Sequence, residues 1–198
     1  MELVVLEEQP LPKMGWMVSS LCSVNMQEDI KNIRISGGNV KAIGTANGPG
    51  IGGGYGSDFD GLYITGGKVE AKGGANAPGI GTSIGYRNDY KLKNVQISGG
   101  DTVVIAIGDK STNMPGIGAA GGNDYVSSVT AEPDPGYQGY IQDGTSLEDY
   151  SFMEGTPFHE KTDIRVGRFY TKVYFGPFRD VNGIEDDTKE QIGANHVI

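Results

Sequence analysis

One phrase recurs in this chain, and its recurrence limits the fold more than any other feature. An apolar-x-apolar-small-Gly-Gly phrase stands at Ile33-Arg34-Ile35-Ser36-Gly37-Gly38, at Leu62-Tyr63-Ile64-Thr65-Gly66-Gly67 and at Val95-Gln96-Ile97-Ser98-Gly99-Gly100, the glycine pairs being 29 and then 33 residues apart. A short β-type run follows each copy: Val40-Lys41-Ala42, Val69-Glu70-Ala71, and Thr102 to Ile107. A third phrase then closes each repeat: Pro49-Gly50-Ile51-Gly52, Pro78-Gly79-Ile80-Gly81 and Pro115-Gly116-Ile117-Gly118.

Each repeat therefore holds three short segments separated by glycine corners. Alternation such as Ile33/Ile35 and Val40/Ala42 turns one face of each segment toward a shared interior. Segments this short cannot bury themselves, so the repeats must stack and give their backbone N–H and C=O groups partners in the coil above or below. Stacking predicts one ladder through Ile33, Leu62 and Val95 and another through Ile35, Ile64 and Ile97. The expected fold is all-β, a parallel β-helix of about three glycine-rich repeats over 33–130 with a short C-terminal β extension. Gly-Gly pairs suit its corners, where φ is positive or a bend leaves no room for a Cβ. The surplus over a minimal coil is expected in the loop after each Gly-Ile-Gly phrase. A sandwich or meander of antiparallel hairpins would use the same glycine corners and stays open. The equivalence of the phrases favours stacking, because hairpin strands with different neighbours have no reason to repeat their side chains.

Composition agrees. With 33 glycines in 198 residues, helix should be scarce, since an interior glycine costs a helix about 1 kcal/mol relative to alanine. The length suits one main unit. A net charge of −9 and a pI near 4.7 repel phosphate backbones and anionic lipid, so no nucleic-acid partner is expected. No run approaches the roughly twenty apolar residues that span a bilayer, so no membrane insertion is expected. Residues 1–24 carry Glu7, Glu8, Pro10 and Pro12 among their apolar positions and do not read as a signal peptide. The single cysteine, Cys22, has no thiol to pair with and reads as a small buried apolar side chain.

The flanks differ from the repeats. Residues 1–32 spread apolar side chains, Trp16 among them, in a way that suits an N-terminal cap over the open end of a stack. Residues 131–178 read as a loop-rich exit with a terminal strand. That strand, Val166 to Phe175, places Phe169, Thr171, Val173 and Phe175 on one face and Arg168, Tyr170, Lys172 and Tyr174 on the other. Residues 179–198 are acidic with few apolar partners and read as a flexible tail.

The chemistry-bearing residues also recur. Gly48, Gly50 and Gly53 spell G-x-G-x-x-G, but no helix can open behind them at Gly54-Tyr55-Gly56, so the match is chance. Acids and amides follow each Gly-Ile-Gly phrase: Asp58 and Asp60, Asn88 and Asp89, Asn123 and Asp124, with Tyr55, Tyr86 and Tyr125 beside them. Stacking would gather these along one edge. Oxygen ligands on loops suit Ca²⁺, and tyrosine beside carboxylate suits a sugar. The same residues also serve as ordinary turn formers whose side chains bond the local backbone. The candidate ligand-binding set is Tyr55, Asp58, Asp60, Tyr86, Asp89, Asp124 and Tyr125, with Ca²⁺ as the one cofactor considered and no catalytic or metal residues assigned. Asp58 and Asp60 invite comparison with glycosidase carboxylates, yet a repeated motif makes equivalent copies, whereas catalysis needs one asymmetric constellation. His159 and His196 have no partner spaced for nucleophilic or metal chemistry.

The combination Ile-Ser-Gly-Gly-x-Val-x-Ala with Pro-Gly-Ile-Gly-Gly-Gly resembles the glycine-rich repeats of large cell-surface proteins of Gram-positive gut bacteria, many described as containing carbohydrate-binding domains. The stretches Tyr140–Ser146 and Glu154–Phe158 are similar to the segments on the C-terminal side of such arrays, so the resemblance spans about 33–176, and the first 30 residues depart from it. It implies an extracellular, cell-wall associated setting, with any export signal outside this chain, and a role in adhesion or glycan contact at a host surface. It brings no catalytic residues. The expected function is a non-catalytic surface repeat module, of scaffold or adhesin type, that contacts glycans. The alternative is a β-helix polysaccharide lyase or glycoside hydrolase.

Overall fold

A computed structural model describes residues 16–18, 21–22, 29–85, 89–144, 155–164 and 169–177, with 16–18, 21–22, Asn123 and Pro177 described by backbone alone. The side chains of Trp16 and Cys22, together with Tyr86, Asn88, His196, most of the proposed cap and the whole of 179–198, lie outside the described residues.

The chain coils through three sheets. Strands β1 (Trp16–Val18) and β2 (Leu21–Cys22) precede the first full turn, formed by β3 (Ile30–Ile35), β4 (Asn39–Ile43) and β5 (Ile51–Gly53). The second turn is β6 (Phe59–Ile64), β7 (Lys68–Lys72) and β8 (Ile80–Thr82), and the third is β9 (Leu92–Ser98), β10 (Val103–Ile107) and β11 (Ile117–Ala119). A fourth begins with β12 (Val126–Glu132). Equivalent strands pair in parallel: β3-β6-β9-β12 form the first sheet, β1-β4-β7-β10 the second and β2-β5-β8-β11 the third. Parallel pairing of every equivalent segment settles the choice between solenoid and sandwich: the chain is a β-solenoid of about three turns.

The interior is built from the repeated alternation. Ile33 pairs in register with Leu62, Leu62 with Val95 and Val95 with Val129; Ile35, Ile64, Ile97 and Ala131 make the neighbouring ladder. In the second sheet the inward ladders are Val40-Val69-Val104 and Ala42-Ala71-Ala106. All these side chains are buried. One equivalent residue per coil of the first sheet drops out of the pairing without shifting the register, namely Asn32, Gly61, Asn94 and Ser128, each at positive φ between 55° and 93°. Asparagine and glycine are the residues that tolerate that conformation most readily.

Two glycine positions carry the tightest requirements. At the corner between the first two sheets Gly67 stands at φ 79°, so the second glycine of its pair makes the bend. In the third sheet Gly81 stands at φ 143°, and a Cβ there would run into the Gly118 carbonyl of the next coil. The Gly-Ile-Gly phrase is therefore a stacking requirement: Ile80 fills the core while Gly81 lets the next coil approach. The surplus length after β8 does lie in the segment leading to β9, as expected, but the third repeat puts some of its own into the β10–β11 connection, around the 3₁₀ turn Lys110–Thr112.

That connection holds a polar clasp. Asn76 donates from Nδ2 to Asn47 Oδ1 (3.1 Å), and its backbone N–H donates to Asp109 Oδ2 (2.9 Å). Asp109 also accepts from the Ser111 N–H (3.0 Å), the Ser111 hydroxyl (2.7 Å) and the Thr112 hydroxyl (2.7 Å). The Asn76 N–H above all, then the Thr112 and Ser111 donors, hold the Asp109 carboxyl well below the usual carboxylate range.

Beyond residue 130 the chain holds more strand than its prolines and glycines predict. β13 (Tyr137–Gly144), β14 (Thr156–Phe158), β15 (Thr162–Asp163) and β16 (Tyr170–Pro177) follow β12. β16 inserts antiparallel between β10 and β13, so the terminal strand joins the second sheet and extends it to seven strands. Thr171, Val173 and Phe175 face inward as expected and are buried. Val173 extends the valine ladder, opposite Val104, and Phe175 meets Phe158 edge to face, with centroids 6.0 Å apart. Thr171 takes the place that alanine holds in the three coils before it, opposite Ala106, and its buried Oγ1 has no hydrogen-bond partner.

Three outcomes are expected. Gly81→Ala meets both the φ strain, about 1–3 kcal/mol, and the Gly118 carbonyl, so its denaturation midpoint falls well below that of Gly136→Ala, where φ is 85° and nothing stands within 4 Å. Thr171→Val removes an unsatisfied hydroxyl at nearly constant volume and raises stability by about 1 kcal/mol in urea titration. Asp109→Ala lowers the melting temperature at pH 7. Because the folded-state pKa is depressed, that contribution is complete above the unfolded value of about 3.9 and is lost as pH falls below it. The gap between the melts of Asp109→Ala and wild type should begin to narrow near the model-peptide value of about 3.9 and keep narrowing as the pH falls toward the depressed folded-state value.

Candidate binding surface

Acids at the corner between the third and first sheets are fixed by the stacking itself. Asp29, Asp58, Lys91 and Tyr125 each stand just before β3, β6, β9 and β12, whose first residues Ile30, Phe59, Leu92 and Val126 are in register. Asp29 Oδ1 accepts from the Asp58 N–H (3.2 Å), and Asp58 Oδ1 accepts from the Lys91 N–H (2.8 Å). Each carboxylate thus satisfies a backbone donor of the following coil. Asp60 lies within β6, in register with Lys31 and Lys93, and its Oδ1 accepts from Asn94 Nδ2 (2.6 Å).

The remaining described candidates are Tyr55, Asp89, Asp124 and Tyr125. Tyr125 is half-buried and packs against the core. Tyr55 is half-buried in the turn after β5, while Asp89 and Asp124 are exposed, Asp124 in the 3₁₀ turn Asn123–Tyr125. Among the described residues no three or more His, Cys, Asp or Glu side chains come together as a metal site.

A different set converges on the outer face of the seven-stranded sheet. Its register gives three outward rows. The first runs Asn39-Lys68-Val103-Tyr174-Tyr140, the second Lys41-Glu70-Ile105-Lys172-Gln142, and the third Ile43-Lys72-Ile107-Tyr170-Gly144. Lys41, Lys68 and Lys72 are exposed and Lys172 is half-buried. Lys41 Nζ lies 3.2 Å from Glu70 Oε1. The Tyr140 and Tyr174 rings stack with centroids 4.9 Å apart and planes 11° from parallel, and Lys172 Nζ sits 4.7 Å from the Tyr174 centroid. Burial, and then the like charge of Lys68, push the Lys172 ammonium pKa down; burial, and then the Glu70 charge, push the Tyr170 hydroxyl up.

Reasoning from the repeats alone passed over this face, because its composition changes from coil to coil where the inner ladders stay constant. The available signal was the alternation that set Tyr170, Lys172 and Tyr174 opposite the inward residues of the last strand. What could not be read was that this strand returns antiparallel beside β10 and sets its outward residues in line with those of β4 and β7.

Comparison with known proteins agrees with the architecture at the level of the repeat. Neither the curated proteins nor the solved structures contain a match to this chain. A family of beta helix repeats matches residues 33–55 and 62–86, which are the first two full coils from the middle of the first-sheet strand to just beyond the third.

Proposed function

We propose that the chain is a non-catalytic surface scaffold, of adhesin type, whose solenoid presents the outer face of its seven-stranded sheet to glycans. The observation that carries this reading is how the polar side chains divide. Of the acids at the corner and in β6, Asp29, Asp58 and Asp60 are hydrogen-bonded to donors of the neighbouring coil, while Asp89 and Asp124 are exposed; Lys41, Lys68, Lys72, Tyr140, Gln142 and Tyr174 share the outward rows of one sheet. A glycosidase pair needs two carboxylates in unlike surroundings that drive their pKa values apart; Asp58 and Asp60 are instead both committed to cross-coil bonds. The extracellular, wall-associated setting rests on the resemblance of the glycine-rich phrases to those of bacterial surface proteins.

A second reading, a lyase or glycosidase, draws on Glu70, Tyr170 and Lys172, a carboxylate, a phenol of raised pKa and a lysine of lowered pKa in adjoining outward rows of the seven-stranded sheet, with Ile105 between Glu70 and Lys172.

Incubation of the purified chain with a panel of neutral and acidic polysaccharides separates the two. The scaffold reading expects saturable binding, weakened by Tyr140→Ala and Lys172→Gln, with no new reducing or unsaturated ends after prolonged incubation. Turnover abolished by Lys172→Gln establishes the enzyme instead. Binding that responds to Tyr55→Ala or Asp124→Asn, or to added Ca²⁺, and ignores Lys172→Gln moves the contact to the corner between the third and first sheets.

A further inference from the structure

We infer that the outer face of the seven-stranded sheet selects acidic glycans, chains of sugars bearing carboxylate or sulfate groups at intervals; this rests on the glycan-binding reading above and names the class of ligand for the same surface. On a chain of net charge −9, the three outward rows hold Lys41, Lys68, Lys72 and Lys172 against the single acid Glu70. Glu70 is paired with Lys41 at 3.2 Å, which leaves Lys68, Lys72 and Lys172 uncompensated within those rows. The outer face of the first sheet makes the contrast. There Lys31, Asp60 and Lys93 alternate in sign along one row, so each lysine of that row stands opposite an acid.

Spacing separates an acidic glycan from other polyanions. Lys68 and Lys72 lie four residues apart on β7, about 13 Å along the strand, and Lys41 and Lys172 are three strands apart in one row, about 14 Å across the sheet. Between them stand Glu70, which is paired with Lys41, and the apolar Ile105, while Asn39, Gln142 and the tyrosines supply neutral hydrogen-bonding surface around the lysines. Cations this sparse match a polymer whose charges are separated by uncharged ring and hydroxyl surface. A nucleic acid carries one charge per roughly 1.7 Å of duplex, which these lysines cannot neutralise and the acidic remainder of the molecule repels. An acidic peptide that adds to a sheet does so along an edge through its backbone, whereas these lysines stand on the face.

The test measures affinity for polygalacturonate, alginate and chondroitin sulfate, with methyl-esterified polygalacturonate as the uncharged control of the same backbone and single-stranded DNA as a dense polyanion. The expected result is binding to at least one acidic chain about tenfold or more tighter than to the ester, declining as salt rises, and lowered about tenfold by Lys68→Gln/Lys72→Gln/Lys172→Gln with an unchanged melting curve. Lys31→Gln/Lys93→Gln, on the first sheet, should leave it unaltered. Equal affinity for acid and ester, or acid binding indifferent to the triple variant, overturns the inference while leaving a glycan-binding scaffold. Preference for DNA overturns it in favour of a general polyanion surface. No binding to any glycan, charged or neutral, overturns the broader reading as well.

Discussion

Each coil of this protein is held to its neighbours by backbone hydrogen bonds between strands about 4.8 Å apart, and that spacing decides which side chain can occupy each position. A residue in the inner ladders touches its own equivalent in the next coil before it touches anything else, so like must pack on like. Hence Val40, Val69, Val104 and Val173 stand in one row, with Ala42, Ala71 and Ala106 in the next. The same spacing leaves no Cβ room where Gly81 meets the Gly118 carbonyl. It also explains the corner acids: a carboxylate one coil below a backbone N–H is within reach of it, as Asp58 is of Lys91 at 2.8 Å. Stacking thus engages Asp29 and Asp58 with the coil that follows each.

Binding chemistry in such a fold is therefore to be sought where repetition fails. The second sheet departs from its pattern mainly on the outside. Its inward rows keep Val and Ala through the parallel coils, while its outward rows pass from Asn39 to Lys68 to Val103 and from Lys41 to Glu70 to Ile105. Outward residues are under no stacking demand as strict as the inner ladders, and there the sequence is free to carry a surface. Thr171 marks an inward departure, a hydroxyl at an alanine position with its oxygen unsatisfied, where the regular coil gives way to an antiparallel strand.

The solenoid was legible because its signal is local and multiplied: three copies of one phrase specify strand, corner and inner ladder, and the ladder Ile33-Leu62-Val95 forms in register. The match of a beta helix repeat to residues 33–55 and 62–86 rests on the same local pattern. The fourth coil was harder to see, since Val126–Glu132 lacks the Gly-Gly pair that marked the others. The direction and neighbour of β16 were not legible at all. Alternation tells which side chains share a face, but an antiparallel return beside β10 depends on long-range pairing that leaves no local mark. The corner acids were legible as a recurring cluster; their engagement was not, because a donor one coil away lies 29 or 33 residues distant in sequence, as Asp58 from Asp29 and Lys91 from Asp58.

The arrangement of the lysines bears on whether the charged face is a by-product of solubility. Like charges directly opposite one another on neighbouring strands are destabilising, and here no two lysines meet that way: Lys41 faces Glu70, Lys68 stands between Asn39 and Val103, Lys72 between Ile43 and Ile107, and Lys172 between Ile105 and Gln142. The stagger removes the direct repulsion while leaving net positive charge on the face. Some repulsion persists, since Lys68 still helps to lower the Lys172 pKa. Solubility does not require this, because the chain is already far from neutrality at −9. Stability alone would favour an acidic partner beside Lys172, as Lys41 has in Glu70. A set of cations spread across the face, kept from direct opposition yet not neutralised, is the pattern expected of a surface that meets negative charge from outside the molecule.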